Sequence, residues 1–155
     1  MKQWFIFLIF FSSLFFSGCS FRYYFVLGNA TDDPISIHYT LKDPTNEGVI
    51  FEKEGAVYQS KQDYSPNWEH PLPYRDLNNS DEKVVIKLGA KSSLVFGTLS
   101  NDKYDTISMK TSAGKVFNLV EMTFTVNGVD YRITKDNFHD FFLEESGTYK
   151  YVIQP

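Results

Sequence analysis

The chain has 155 residues, of which 43% are hydrophobic and 17% aromatic, and its formal net charge at pH 7 is −4. This length is typical of one domain, which buries a core large enough to need neither a disulfide nor a metal. The acidic balance argues against nucleic acid or anionic lipid as the main partner. The single cysteine excludes a disulfide within the chain.

The N-terminal residues have the three parts of an export leader. Lys2 provides a positive start, the run from Trp4 to Phe16 is apolar, and the small residues Ser17 and Gly18 follow. A short apolar core between a positive start and small residues is typical of a signal peptide. We therefore expect the leader to direct export.

The end of this leader, Phe16-Ser17-Gly18-Cys19, resembles the lipobox of bacterial lipoproteins, with Phe16 in place of the usual Leu. The resemblance covers residues 1–19 only, and the rest of the chain resembles no family that we recognise. It implies that residues 1–18 are removed and that acylated Cys19 attaches the protein to a lipid bilayer. In enteric-type bacteria, a residue other than Asp after the cysteine, here Ser20, implies the outer membrane, facing the periplasm.

Alternatives to lipidation are an uncut membrane anchor and an ordinary cleaved secretory signal. A spanning helix needs about 20 apolar residues, whereas this run is shorter and is interrupted by Ser12-Ser13. A structural role for Cys19 ranks last, because an exported protein with one cysteine has no second thiol for it to pair with. The predicted parts are a signal, 1–18, and a single domain, 19–155.

The pattern after Cys19 predicts a mostly β domain. Residues 35–41 alternate strictly between apolar and polar, and Asn127-Gly128 between two apolar runs is the strongest local hairpin signal. About eight or nine strands at this spacing favour an immunoglobulin-like antiparallel β-sandwich. The predicted strands are 21–27, 35–41, 49–52, 83–88, 93–99, 105–110, 117–126, 129–133 and 148–153, with a further possible strand at 56–59.

One short helix is predicted near the C-terminus, from Lys135 to Glu144. Thr134 is a possible N-cap, and Phe138, Phe141 and Phe142 would form an apolar face at helical spacing. We expect this helix to cover one end of the sheets.

The first predicted strand begins two residues after Cys19, which would hold the domain close to the bilayer. Alternation places Phe21, Tyr23 and Phe25 on one face, and Tyr24 on the other. One set of these rings should therefore enter the core, and the other is a candidate for contact with lipid headgroups.

Residues 53–82 form a long segment in which only 56–59 is strand-like, and loops of this length are usually functional or disordered. Its prolines limit backbone freedom, and its aromatic rings suit recognition of a ligand or protein. The alternative is that Trp68 and Tyr74 only attach the loop to the sheets while the prolines protect an edge. The candidate binding residues are Tyr64, Trp68, His70, Tyr74 and Arg75.

Residues that could support catalysis or bind a metal are few. Asp136, His139 and Asp140 would share one helical face, but acidic residues at a helix start more often stabilise the helix itself. His38 is expected to be a solvated strand residue. We find no nucleophile motif, phosphate-binding glycine loop or zinc spacing, and so predict no catalytic residue, metal site or cofactor.

The sequence thus favours a non-enzymatic binding or structural lipoprotein of the bacterial envelope, whose partner is an envelope protein or a glycan. The alternative is a small envelope hydrolase or carbohydrate-active enzyme. Such an enzyme would use carboxylate and histidine groups of the long loop or the helix, for example Glu69 or His139.

Overall fold

The computed structural model describes residues 20–78 and 80–155. Cys19 and the leader 1–18 therefore lie outside the described residues. Within the described ranges, no helix has the length and apolarity needed to cross a membrane. The strands are β1 (Arg22–Asn29), β2 (Ile35–Leu41), β3 (Ala56–Ser60), β4 (Pro66–Leu72), β5 (Lys83–Leu88), β6 (Ser92–Ser100), β7 (Tyr104–Asp105), β8 (Lys110–Thr111), β9 (Leu119–Val126), β10 (Val129–Thr134), β11 (Leu143–Glu145) and β12 (Thr148–Ile153).

The strands form two large sheets and one small one, which confirms a mostly β fold with antiparallel sheets. The larger sheet has the order β11-β12-β1-β6-β3-β4, the second has the order β10-β9-β2-β5, and β7 pairs with β8 alone. Two details differ from the prediction. The described residues contain more strands than the eight or nine expected, and β1 pairs with β12 in parallel rather than antiparallel.

One hydrophobic core lies between the two large sheets. In β2 the apolar residues Ile35, Ile37, Tyr39 and Leu41 are buried, as their alternation predicts, and His38 is exposed. Phe25 of β1 is fully buried at the centre of the core. Residues of both sheets thus contribute to the same cluster, as a packed pair of sheets requires.

The hairpin predicted at Asn127-Gly128 is present, joining β9 and β10. Both residues have positive φ, +52° for Asn127 and +77° for Gly128, as a tight two-residue turn requires. By contrast, the strand predicted at 49–52 is wrong, since that segment forms only an isolated bridge between Val49 and Val116. The continuous strand predicted at 105–110 is also wrong, because residues 106–109 form the turn between β7 and β8.

The helix predicted over 135–144 is shorter than expected. A 3₁₀ turn covers Lys135–Asn137, and α1 covers only Phe138–Phe141, after which Leu143–Glu145 is strand β11. The pairing of β11 with β12 takes these last residues out of the helix. Thr134 begins the segment, and its backbone N–H donates to Asn137 Oδ1 at 2.6 Å. The apolar face is confirmed, with Phe138 and Phe142 buried and Phe141 half-buried.

Candidate functional site

The segment 53–82 is a β-hairpin with an ordered return, and its description as a loop with one strand is wrong. Strands β3 and β4 pair with each other, and β4 forms the edge of the six-stranded sheet. Pro66 and Pro71 both lie in β4, where they remove two backbone donors from the edge. This agrees with the alternative in which the prolines protect an edge.

A four-residue bulge interrupts the β3–β4 hairpin. Ser60 pairs with Pro66 and Tyr58 pairs with Pro71, so the residues from Asn67 to His70 all lie opposite Gln59. Bulges of this kind redirect side chains and are frequent next to functional sites. Here the bulge contains Trp68 and places its ring against side chains of β1 and β3.

The bulge forms one wall of a groove on the outer face of the six-stranded sheet, with a volume of about 610 Å³. We call this the aromatic groove. Backbone and small side chains of β3 and β6, including Ala56 and Gly97, line part of it. The residues that give it chemical character are Arg22, Tyr24, Glu52, Glu54, Tyr58 and Trp68.

Three aromatic rings form a continuous wall of the groove. The ring centroid of Trp68 lies 4.8 Å from that of Tyr24 and 5.0 Å from that of Tyr58. The two tyrosines thus support the indole from β1 and β3, which fixes its orientation without burying it. Trp68 keeps 45% of its surface exposed, and a supported but exposed indole is typical of recognition sites.

The groove also contains charges of both signs. Arg22, Glu52 and Glu54 are all exposed. Within residues 20–78 and 80–155, none of the three makes an ion pair or a side-chain hydrogen bond. Because their charges are not neutralised by described neighbours, they are available to a ligand that carries both charges.

Of the residues predicted to bind, Trp68 alone lines the groove. Tyr64 lies in the turn before β4 with a φ of +60°, and its carbonyl accepts a hydrogen bond from Ser93 Oγ at 2.9 Å. A Cβ on Gly28 would lie 3.2 Å from Tyr64 Cβ, so this turn packs closely on β1. Tyr64 therefore holds the hairpin against the sheet.

Tyr74 also has a structural role. Its hydroxyl donates to the Lys53 carbonyl at 2.7 Å, and burial raises the pKa of its phenol. Lys53 Nζ in turn lies 3.4 Å from Asp76 Oδ2 and donates to the Ser80 carbonyl at 2.6 Å. These contacts fix the chain that follows β4, as the alternative interpretation of this tyrosine predicts.

His70 and Arg75 are exposed and do not line the groove. His70 belongs to the bulge, next to Glu69, whereas Arg75 lies in the return that Tyr74 fixes. Of the five predicted binding residues, Trp68 thus lines the groove, Tyr64 and Tyr74 make structural contacts, and His70 and Arg75 lie exposed outside the groove.

The residues Asp136, His139 and Asp140 are not brought together with a further ligand. Across the described ranges, no group of three or more His, Cys, Asp or Glu side chains could hold a metal ion. His139 instead lies among aromatic rings, with Nε2 3.1 Å from the hydroxyl of Tyr104. Burial lowers the pKa of His139, while the nearby Asp140 opposes this shift. The side chain thus behaves as part of the packing.

Sequence reasoning missed Tyr58, Glu52, Glu54 and Arg22 as parts of a site. The alternation in the first strand does place Tyr24 opposite the buried Phe25, as the structure confirms. A comparable alternation in β3 could have identified Tyr58 as an outward residue. No local signal could have joined these strands to Trp68, because the bulge in β4 makes that contact.

The comparisons with known proteins give little further information. No protein-family model matches the chain, and no solved structure matches it. UvrABC system protein B of Mycoplasma genitalium is 26% identical to the chain over an alignment of 106 residues, with a coverage of 63% of the chain and 16% of that protein. The chain thus spans well under two thirds of that relative, and the similarity assigns it to no family.

Proposed function

We propose that the protein is a lipoprotein of the bacterial envelope, anchored through acylated Cys19, that binds another envelope component in the aromatic groove. The anchor would hold it at the outer membrane, facing the periplasm. The observation that carries the binding role is Trp68, which is supported by Tyr24 and Tyr58 yet remains 45% exposed. A ring with only a packing role would be expected to lose more of its surface.

The position of the groove in the chain fits an anchored binder. Arg22, which lines the groove, follows Cys19 by only three residues, and three extended residues span at most about 11 Å. The groove would therefore lie beside the membrane. Tethering a binding site in this way raises its effective concentration toward components of the same surface.

The proposed architecture is an immunoglobulin-like sandwich. Support comes from the two sheets that enclose one core, and from the hairpin connections within each sheet. Because the chain has one cysteine, it cannot form the disulfide that joins the two sheets of antibody domains. The proposal therefore concerns the arrangement of the strands alone. An experimental structure would test it through the order of the strands in the two sheets.

Loss of the anchor should release the protein from the membrane. We expect palmitate to label the wild-type chain and the Trp68→Ala variant equally, and to be absent from Cys19→Ala, which should leave the membrane fraction. Labelling of Cys19→Ala, or its full retention on membranes, would contradict lipidation at this residue.

Binding is tested by chemical cross-linking in the native envelope, with the products identified by mass spectrometry. Trp68→Ala should lose the product that wild type gives. Phe21→Ala is the matched control, because Phe21 is also 45% exposed but does not line the groove. Equal products from wild type and Trp68→Ala would overturn the proposal.

The hydrolase alternative makes a different prediction for the same assay. It requires loss of function in Glu69→Gln, Asp136→Asn or His139→Ala with folding preserved. Under the binding proposal these variants keep the cross-linked product, because none of the three residues lines the groove.

A further inference from the structure

The aromatic groove combines features that are seldom needed together for packing alone. One cation, Arg22, and two carboxylates, Glu52 and Glu54, line the same groove without pairing with one another among the described residues. The indole of Trp68 lies in the wall of the same groove. A ligand that complements this set carries a negative group for Arg22 and a positive group for the two carboxylates.

We propose that the aromatic groove binds the headgroup of a zwitterionic phospholipid, with its phosphate on Arg22 and its ammonium between the carboxylates and the ring of Trp68. Guanidinium groups bind phosphate oxygens through paired hydrogen bonds. Ammonium groups bind carboxylates, and they are also attracted to the face of an indole. Each part of the headgroup thus finds a matching group in the groove.

The charge of the whole chain favours a zwitterion over an anionic lipid. The full chain carries a net charge of −4, and removal of the leader takes away one lysine and no acid. An anionic surface would therefore repel the protein at long range. A zwitterionic headgroup carries no net charge, so the local complementarity of the groove acts without that penalty.

The chain length before the groove provides the link to a membrane. This step rests on the proposed function, because it is acylated Cys19 that would bring Arg22 within about 11 Å of the bilayer. Headgroups would then be the nearest abundant ligands. Binding one would fix the orientation of the domain on the surface, in addition to the tether.

Tryptophan fluorescence can test this directly, because the chain contains only Trp4 and Trp68. The full chain carrying Trp4→Phe, held in a polyoxyethylene detergent, is titrated with glycerophosphoethanolamine. We expect a saturable change in Trp68 emission, and much weaker changes with ethanolamine, glycerol phosphate or diacetylchitobiose. No saturable change with the zwitterion, or an equal response to the glycan, would overturn the proposal.

Substitutions test whether the charges act as proposed. Arg22→Gln and Glu54→Gln should each weaken binding about tenfold, since each removes a charged contact to the ligand. Arg132→Gln is the matched control, because Arg132 is exposed on the other sheet and should leave binding unchanged. Wild-type affinity in both groove variants would overturn the assignment.

Vesicles distinguish a lipid headgroup from a free metabolite. Reconstituted protein should show the Trp68 change in vesicles of equal parts phosphatidylethanolamine and phosphatidylglycerol, but not in phosphatidylglycerol alone. A response to soluble glycerophosphoethanolamine without a response to the mixed vesicles would overturn the lipid as ligand. Because the detergent titration does not depend on acylation, a failed anchor and a failed groove give separate results.

Discussion

The molecule contains two aromatic clusters that differ in how completely they are buried. The core cluster surrounds Phe25, whose ring lies 4.9 Å from that of Phe51 and 5.1 Å from that of Tyr149. The groove cluster consists of Trp68, Tyr24 and Tyr58, with ring contacts of similar length. Phe25 is fully buried, whereas Trp68 keeps 45% of its surface exposed. Similar ring contacts thus enclose the ring in one cluster and leave it exposed to solvent in the other.

The sharpest test of this difference is truncation at the centre of each cluster. Phe25→Ala should lower the free energy of unfolding by roughly 3–5 kcal/mol, because it leaves a cavity in the packed core. Trp68→Ala should lower the free energy of unfolding by only about 1 kcal/mol, because it removes two aromatic contacts but leaves no enclosed cavity. Denaturant unfolding of both variants measures the two values.

The two clusters do not differ in this way if both truncations lower the free energy of unfolding equally. A loss from Trp68→Ala as large as that from Phe25→Ala would mean that the groove rings carry the fold. The groove cluster would then be a second core.

The core cluster should also resist added volume, because its close packing includes a glycine. At Gly97, a Cβ would lie 2.7 Å from Phe51 Cδ1 and 3.0 Å from Phe25 Cδ2. Gly97→Ala should therefore cost about 1–3 kcal/mol of unfolding free energy through overpacking. Calorimetric melting, compared with wild type, measures the loss.

Gly89→Ala is the matched control for this substitution. A Cβ at Gly89 would meet only Ser92 Oγ, at 3.6 Å, which is ordinary contact. We expect its melting temperature to stay near that of wild type. A Gly97→Ala variant as stable as Gly89→Ala would show that the phenylalanines around Gly97 move easily.

The sequence predicts the fold best where one local rule decides the structure. The alternation of β2 and the Asn127-Gly128 turn are both confirmed. Burial of one face requires apolar residues at every second position, and positive φ favours Asn and Gly, so both can be read from residue type. The pairing of a strand with a distant part of the chain cannot be read from residue type in this way. The residues of β11 are compatible with a helix by themselves, and only β12 makes them a strand.

The sequence predicts even less of the candidate site, because the site also depends on contacts between distant parts of the chain. Trp68 could be selected from the sequence, because a tryptophan among prolines favours recognition. Tyr74 could be selected in the same way, yet its hydroxyl reaches Lys53 and the ring becomes a support. Which of two similar rings faces solvent depends on the bulge opposite Gln59, and strand propensities do not specify that bulge.

The smallest predicted effect is a pH dependence that arises at the border of the core cluster. His139 packs beside Phe138 and Tyr149, and desolvation lowers the pKa of its imidazole despite the opposing effects of Asp140 and a backbone contact of Phe142. As the pH falls through about 6.5, the unfolded chain binds a proton at His139, whereas the folded chain binds this proton only at a lower pH.

Between that pH and the lower folded pKa of His139, the unfolded state holds more protons, so the free energy of unfolding falls as the pH falls. His139→Gln should flatten this slope just below about pH 6.5, the ordinary pKa of histidine. The double variant His38→Gln/His70→Gln, which changes only exposed imidazoles, should keep it. Urea unfolding at several pH values measures all three proteins. An unchanged slope in His139→Gln would mean that this histidine accepts its proton as easily in the folded chain as in the unfolded one.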